Sequence, residues 1–127
     1  MLRIAFLPSD FNPMVLILGE AEDLHRLAAT LRRFARTPID LPIEHSQISL
    51  TASAGTLGIH PAAVPGTFLW RLDATHAENF AAQIDTLAQP SRPAGSEILQ
   101  CTGGEEIPVK VSRGEYTDDF LLAASRG

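Results

Sequence analysis

Residues 16–35, LILGEAEDLHRLAATLRRFA, and residues 69–88, LWRLDATHAENFAAQIDTLA, begin 53 positions apart and follow one plan. In each stretch a short strand-like run leads into a segment whose apolar residues recur at i, i+3, i+4 and i+7. That spacing is what one buried helical face requires. The apolar residues are Leu24, Leu27, Ala28, Leu31, Phe34 and Ala35 in the first stretch and Ala77, Phe80, Ala81, Ile84, Leu87 and Ala88 in the second. The chain therefore contains a strand–helix pseudo-repeat with two amphipathic helices.

Strand patterns surround the two helices. The segment Ser46 to Ser53 alternates polar and apolar residues, so one face of its strand is wet or meets a partner. The run Met14 to Leu18 is apolar on both sides and is expected at the centre of a sheet. The predicted order is β, β, α, β, β, α, β, β, with strands at 2–7, 14–18, 46–53, 67–72, 97–102 and 107–112 and helices from about 21 and 75.

Turn and cap signals separate these elements. Residues 54–66 carry five glycines and prolines and predict a wide surface loop without a strand. Thr75 to Glu78 has the capping-box pattern, which predicts that the second helix starts there. Gly103 and Gly104 between the last two strands predict a β-hairpin.

The pattern as a whole predicts an α+β fold. Two helices, each with one apolar stripe, are expected on one face of a largely antiparallel sheet, as a two-layer sandwich. The inner β-α-β-β-α-β order is also compatible with a ferredoxin-like arrangement. Residues 1–127 are expected to form a single domain, with pseudo-repeat halves at roughly 13–53 and 66–102 and a C-terminal hairpin and tail at 96–122.

Composition narrows the functional classes. A formal net charge of -5 argues against nucleic-acid binding, which needs clustered Lys and Arg. The single cysteine, Cys101, excludes an internal disulfide. No run approaches the roughly 18 apolar residues of a membrane span, and Pro8 and Pro13 interrupt the N-terminal segment where a signal peptide needs an apolar run. We expect a cytoplasmic protein that binds neither nucleic acid nor membrane.

Catalytic and metal signals are weak. The four histidines, His25, His45, His60 and His76, have no partner at metal-ligand spacing, and no Gly-x-Ser-x-Gly motif is present. We therefore assign no catalytic residue, metal or cofactor. An enzyme would need a cleft that brings a histidine within hydrogen-bond reach of Ser53, Cys101 or a carboxylate.

One charge asymmetry remains. Residues 64–127 carry a net charge of -4 and residues 1–63 a net charge of -1. Acidic residues steer a basic partner and aromatic residues anchor it, so the acidic C-terminal region is the candidate interaction surface. The predicted partner-binding residues are Glu105, Glu106, Glu115, Tyr116, Asp118 and Asp119.

The residues 16–20, LILGE, with the helix that follows them, and the closing residues 107–121, IPVKVSRGEYTDDFL, carry a resemblance. They resemble small bacterial α+β immunity proteins of polymorphic-toxin systems. The resemblance implies a cytoplasmic protein that neutralises a toxin by binding it, without chemistry. The acidic balance would suit a basic toxin such as a nuclease.

The leading hypothesis is thus a non-enzymatic cytoplasmic protein-binding module of the immunity type. A small-molecule-binding regulatory domain, or a homodimer built on the repeated sheet, is the alternative from another class. A small enzyme using His45, His60 or the pair Asp118 and Asp119 is the third.

Overall fold

The strands and helices follow the predicted alternation, with two further short strands. The computed structural model describes residues 2–7, 14–43, 47–53, 57–89, 95–101 and 107–113. In chain order the elements are β1 (Arg3–Leu7), β2 (Met14–Leu18), α1 (Ala21–Arg36), β3 (Leu41–Pro42), β4 (Ile48–Ala52), β5 (Gly58–Pro61), β6 (Phe68–Leu72), α2 (Ala74–Leu87), β7 (Gly95–Leu99) and β8 (Val109–Arg113).

The strands form two four-stranded sheets. Sheet A has the order β1-β2-β8-β7 and sheet B the order β3-β4-β6-β5. Four of the six strand pairings are antiparallel, and the central pairs, β2 with β8 and β4 with β6, are parallel. The α+β class and the largely antiparallel pairing are confirmed. The expectation of one sheet, and with it the ferredoxin-like arrangement, is corrected to two mixed sheets, because β2 pairs with β8 and β4 pairs with β6, which divides the strands between two separate sheets.

The two sheets are built by exchange between the halves of the chain. Each half has the order β-β-α-β-β, with β1 to β4 in the first and β5 to β8 in the second. Sheet A joins the first hairpin of the first half to the last hairpin of the second, and sheet B joins the remaining two hairpins. Neither half holds a complete sheet of its own.

The registers of the two parallel pairs are equivalent. Paired residues are Val15 with Val109 and Ile17 with Val111 in sheet A, and Phe68 with Ile48 and Trp70 with Leu50 in sheet B. The β2 and β6 positions differ by 53 residues in both rows, and the β4 and β8 positions by 61. The pseudo-repeat therefore extends beyond strand and helix, and the hairpin β7–β8 is the counterpart of β3–β4.

The helices bury the faces that the sequence predicts. Leu24, Leu31 and Phe34 of α1 are buried, as are Phe80 and Ile84 of α2. The two helices pack against each other, and their buried faces join the inner faces of both sheets in one cluster. This common core fixes the helix pair against strands from both halves.

Aromatic contacts connect the layers, and the contact between Phe6 and Phe68 also crosses between the halves. The ring centroids of Phe6 in β1 and Phe68 in β6 lie 5.0 Å apart, and this contact links sheet A to sheet B. Trp70, which is 1% exposed, stacks on Phe80 at 5.8 Å. The backbone N–H of Ile107 donates to the carbonyl of Ile59 at 3.2 Å, which ties the start of β8 to the edge of sheet B.

Two local predictions are wrong. Residues 58–61 within the expected loop form β5, because antiparallel pairing with β6 satisfies a backbone that glycine and proline leave without local preference. The start of α2 is capped by Asp73 and not by Thr75, since the Asp73 carboxylate accepts from the N–H of His76 at 2.8 Å. The helix therefore begins two residues earlier than the Thr75–Glu78 pattern suggests.

Neither of the two helices within the described ranges is long and apolar enough to cross a membrane.

Leu50→Ala tests the shared core. Leu50 is 0% exposed in β4 and pairs with Trp70 across the boundary between the halves. Truncation should lower the free energy of unfolding by about 2–5 kcal/mol, because the burial of the removed atoms is lost and a cavity remains in the core. Urea titration followed by the fluorescence of Trp70, the single tryptophan, measures this loss.

Ile39→Ala is the matched control, since Ile39 is 68% exposed. It should change the free energy of unfolding by less than about 0.5 kcal/mol. An equal loss in both variants would contradict a core shared by the two halves.

Candidate functional site

The outer face of sheet B, turned away from the core, carries two rows of mainly polar residues. The strand registers place Thr51, Arg71 and Gly58 in one row and Pro42, Ser49, Leu69 and His60 in the other. Asp40 continues the first row, because the Thr51 hydroxyl donates to its carboxylate at 2.8 Å. Residues that alternate with these along the strands, such as Leu50 and Trp70, point to the inner face and are fully buried.

The face is open to solvent at its centre. Ser49, Thr51, Leu69, Arg71 and His60 are all partly exposed. The alternation predicted for Ser46 to Ser53 is confirmed from Ile48 to Thr51, and its polar side belongs to this face, whereas Ala52 at the end of β4 is exposed. We name these eight residues, Asp40, Pro42, Ser49, Thr51, Gly58, His60, Leu69 and Arg71, the outer face of sheet B.

The equivalent face of sheet A is different. Leu16 and Leu18 occupy the positions of β2 that match Leu69 and Arg71 of β6, and they are 1% and 2% exposed. Next to Leu18 lies Ser112, fully buried, whose hydroxyl donates to the carbonyl of Gly95 at 3.2 Å. The pseudo-symmetry is thus broken where a buried leucine is replaced by a half-buried arginine.

Arg71 is the distinctive residue of the outer face. Its Nε is buried and has no hydrogen-bond partner among the residues that the structure describes. Its neighbours in the row are Thr51, whose hydroxyl hydrogen is given to Asp40, and Gly58, which has no side chain. An unpaired guanidinium nitrogen that has lost its water is costly, so Arg71 gains when an external acceptor approaches.

The histidines whose positions are described make structural contacts. His60 Nε2 donates to the carbonyl of Leu57 at 3.2 Å. His25 Nδ1 lies 3.3 Å from Asp85 Oδ1, and Arg32 Nη1 lies 2.5 Å from Asp85 Oδ2, so Asp85 joins the exposed edges of the two helices.

His76 and Asp73 form the helix cap of α2. His76 Nδ1 lies 2.7 Å from Asp73 Oδ1, the same oxygen that accepts from the His76 backbone N–H. The backbone and then the side chain of His76 hold the pKa of Asp73 below its ordinary value. The His76 ring also meets Phe80 edge-on at 6.2 Å. The pair therefore stabilises the helix start.

The predicted partner-binding residues lie outside the described residues, as does His45. They are Glu105, Glu106, Glu115, Tyr116, Asp118 and Asp119. Within the described ranges, no three His, Cys, Asp or Glu side chains come together as a metal site. Cys101 is half-buried, as its position in the sequence suggests.

Sequence reasoning missed Arg71 as a candidate. The alternation of residues 47–53 predicts a polar side for that strand. No strand is predicted at 58–61, so the part of the face that β5 forms does not follow from the sequence pattern. Only the pairing of β4, β6 and β5 brings Thr51, Arg71 and Gly58 into one row.

Comparisons of the chain with protein-family models, with curated proteins and with solved structures gave no match.

Asp73→Ala tests the cap of α2. The His76 N–H loses its acceptor, so the free energy of unfolding at pH 7 should fall by about 1 kcal/mol. Thermal or urea unfolding of the variant and the wild type gives the difference.

Asp73→Asn is the matched variant, because it keeps a cap acceptor without a charge. The lowered pKa of Asp73 means that its ionic contribution is present above the unfolded value of about 3.9 and is lost as the pH falls through the folded value. The stability difference between wild type and Asp73→Asn should therefore shrink below about pH 4. A difference that stays constant down to pH 2 would rule out this titration.

Proposed function

We propose that this protein is a non-enzymatic protein-binding module of the immunity type, and that the outer face of sheet B contacts its partner. The supporting observation is that Arg71 is partly exposed on this face with Thr51 beside it, whereas the equivalent residue of sheet A, Leu18, is buried. The face of a sheet suits a macromolecular surface better than a small molecule, which needs a concave site.

Arg71 is the proposed anchor of the contact. Arginine is enriched among the few residues that dominate binding energy, because it combines several donors with a broad apolar stem. The buried Nε has no hydrogen-bond partner among the described residues, and in this proposal a carboxylate or carbonyl oxygen of the partner supplies the acceptor.

The charge of the chain favours a basic partner. The net charge of -5 attracts positive surfaces over distances of about a Debye length, roughly 8 Å at physiological salt. In this proposal the acidic residues Glu105, Glu106, Glu115, Asp118 and Asp119, with Tyr116, attract the partner, and Arg71 anchors the contact. A basic toxin domain, as in immunity systems, meets both requirements.

Several polar side chains of the described ranges serve the scaffold. Asp73 and His76 cap a helix, and Asp85 joins two helices through His25 and Arg32. These contacts stabilise the helices and do not involve Arg71 on the outer face of sheet B.

The first test is co-expression with the product of the adjacent gene. A stoichiometric complex is expected, and Arg71→Ala should raise its Kd at least tenfold, about 1.4 kcal/mol, through faster dissociation. Surface plasmon resonance gives Kd and both rate constants.

Arg36→Ala is the control for the lost charge, since Arg36 lies exposed in the last turn of α1. Its Kd should stay within twofold of the wild type. No complex with the neighbouring product would reject the proposed function, and equal effects of both variants would reject the role of Arg71.

A second test separates steering from anchoring. Asp118→Asn with Asp119→Asn should slow association at low salt and lose its effect at high salt, because exposed charges act mainly on the encounter rate. The same rate measurements at two salt concentrations detect this.

Glu22→Gln with Glu78→Gln removes the same charge from exposed positions on the two helices. This control pair should alter the association rate less. An equal decrease would assign the effect to net charge alone and not to the C-terminal region.

A further inference from the structure

The two halves of the chain are held together by contacts that do not require them to be covalently joined. Each parallel ladder, β2 with β8 and β4 with β6, has one strand from each half. The close packing of α1 on α2 also crosses the boundary between halves. The first half of one copy can therefore make the same contacts with the second half of another copy.

We propose that a second copy of this chain supplies the missing half in an exchanged dimer. In that dimer, the first half of one chain forms both sheets with the second half of the other, and two equivalent lobes result. Exchange of identical elements is a low-cost route to dimers, because the bonds of the monomer are re-formed between chains.

The covalent connection between the halves is short. It runs from Ser53, after β4, to Leu57, before β5, and these strands lie on either side of β6. Two strand spacings amount to about 10 Å. Ser53 is still tied to the last residue of β6, since its N–H donates to the carbonyl of Leu72 at 3.1 Å. The connection favours pairing with the second half of the same chain, because it keeps that half close. The interfaces between the halves do not distinguish it from the second half of another copy.

Concentration decides between the two forms. A short connection gives the attached half an effective concentration of roughly millimolar, so the monomer dominates in dilute solution. When chains refold together near that concentration, exchanged dimers should form with the same secondary structure. The exchanged dimer does not depend on the proposed binding function.

Complementation between two defective full-length chains tests the proposal. Leu27→Pro breaks α1 in the first half and Ala81→Pro breaks α2 in the second, because an internal proline removes a helix bond and clashes with the preceding turn. The two variants are mixed in urea and refolded by dilution. One intact lobe then forms per pair of chains, so up to half of the wild-type far-ultraviolet ellipticity should return.

The matched control mixes Leu27→Pro with Leu31→Pro, which damages the same helix twice. This pair contains no intact first half, and its spectrum should equal the average of the separate variants. Recovery in the complementary pair alone supports exchange. No recovery there, or equal recovery in both mixtures, overturns it.

Wild-type protein provides an independent measurement. Refolding at about millimolar concentration should give a dimer by light scattering, and refolding a thousandfold more dilute should give a monomer. The circular dichroism per residue should be the same in both. A monomer at both concentrations would overturn the proposal even if the proline variants aggregate.

Discussion

The parallel pairing of strands from opposite halves is the constraint on which the rest of the structure depends. β2 pairs with β8 and β4 pairs with β6, so each sheet is completed only by strands from both halves. The helix pair and the contact between Phe6 and Phe68 follow from this exchange. Because these contacts join residues far apart in sequence, they carry a large loop-closure cost that the buried core must offset.

Equivalent positions of the two sheets differ where the pseudo-symmetry of the fold is broken. At equivalent positions of the two sheets stand Leu18, which is buried, and Arg71, which is half-buried and whose Nε has no hydrogen-bond partner among the described residues. The repeat alone does not account for this difference, which supports the proposed binding role.

Local patterns predicted much of the fold. The apolar spacing of α1 and α2, the buried run of β2 and the alternation of β4 depend on near neighbours and were visible in the sequence. The sheet assignment, the strand β5 and the cap at Asp73 could not be predicted, since they depend on strand partners elsewhere in the chain, as far as from Val15 to Val109, or on a competing cap. Arg71 was missed for the same reason, because its row exists only after β4, β6 and β5 pair. The proposed acidic residues lie outside the described ranges and remain predictions.

Backbone contacts between strands test the exchanged architecture most directly. In nuclear Overhauser spectra of the labelled protein, cross-peaks should join Ile17 to Val111 and Leu50 to Trp70. These pairs define the two parallel ladders between halves. Cross-peaks that join Ile17 to Leu50 and Trp70 to Val111 would mean that each half closes its own sheet, and they would contradict the account.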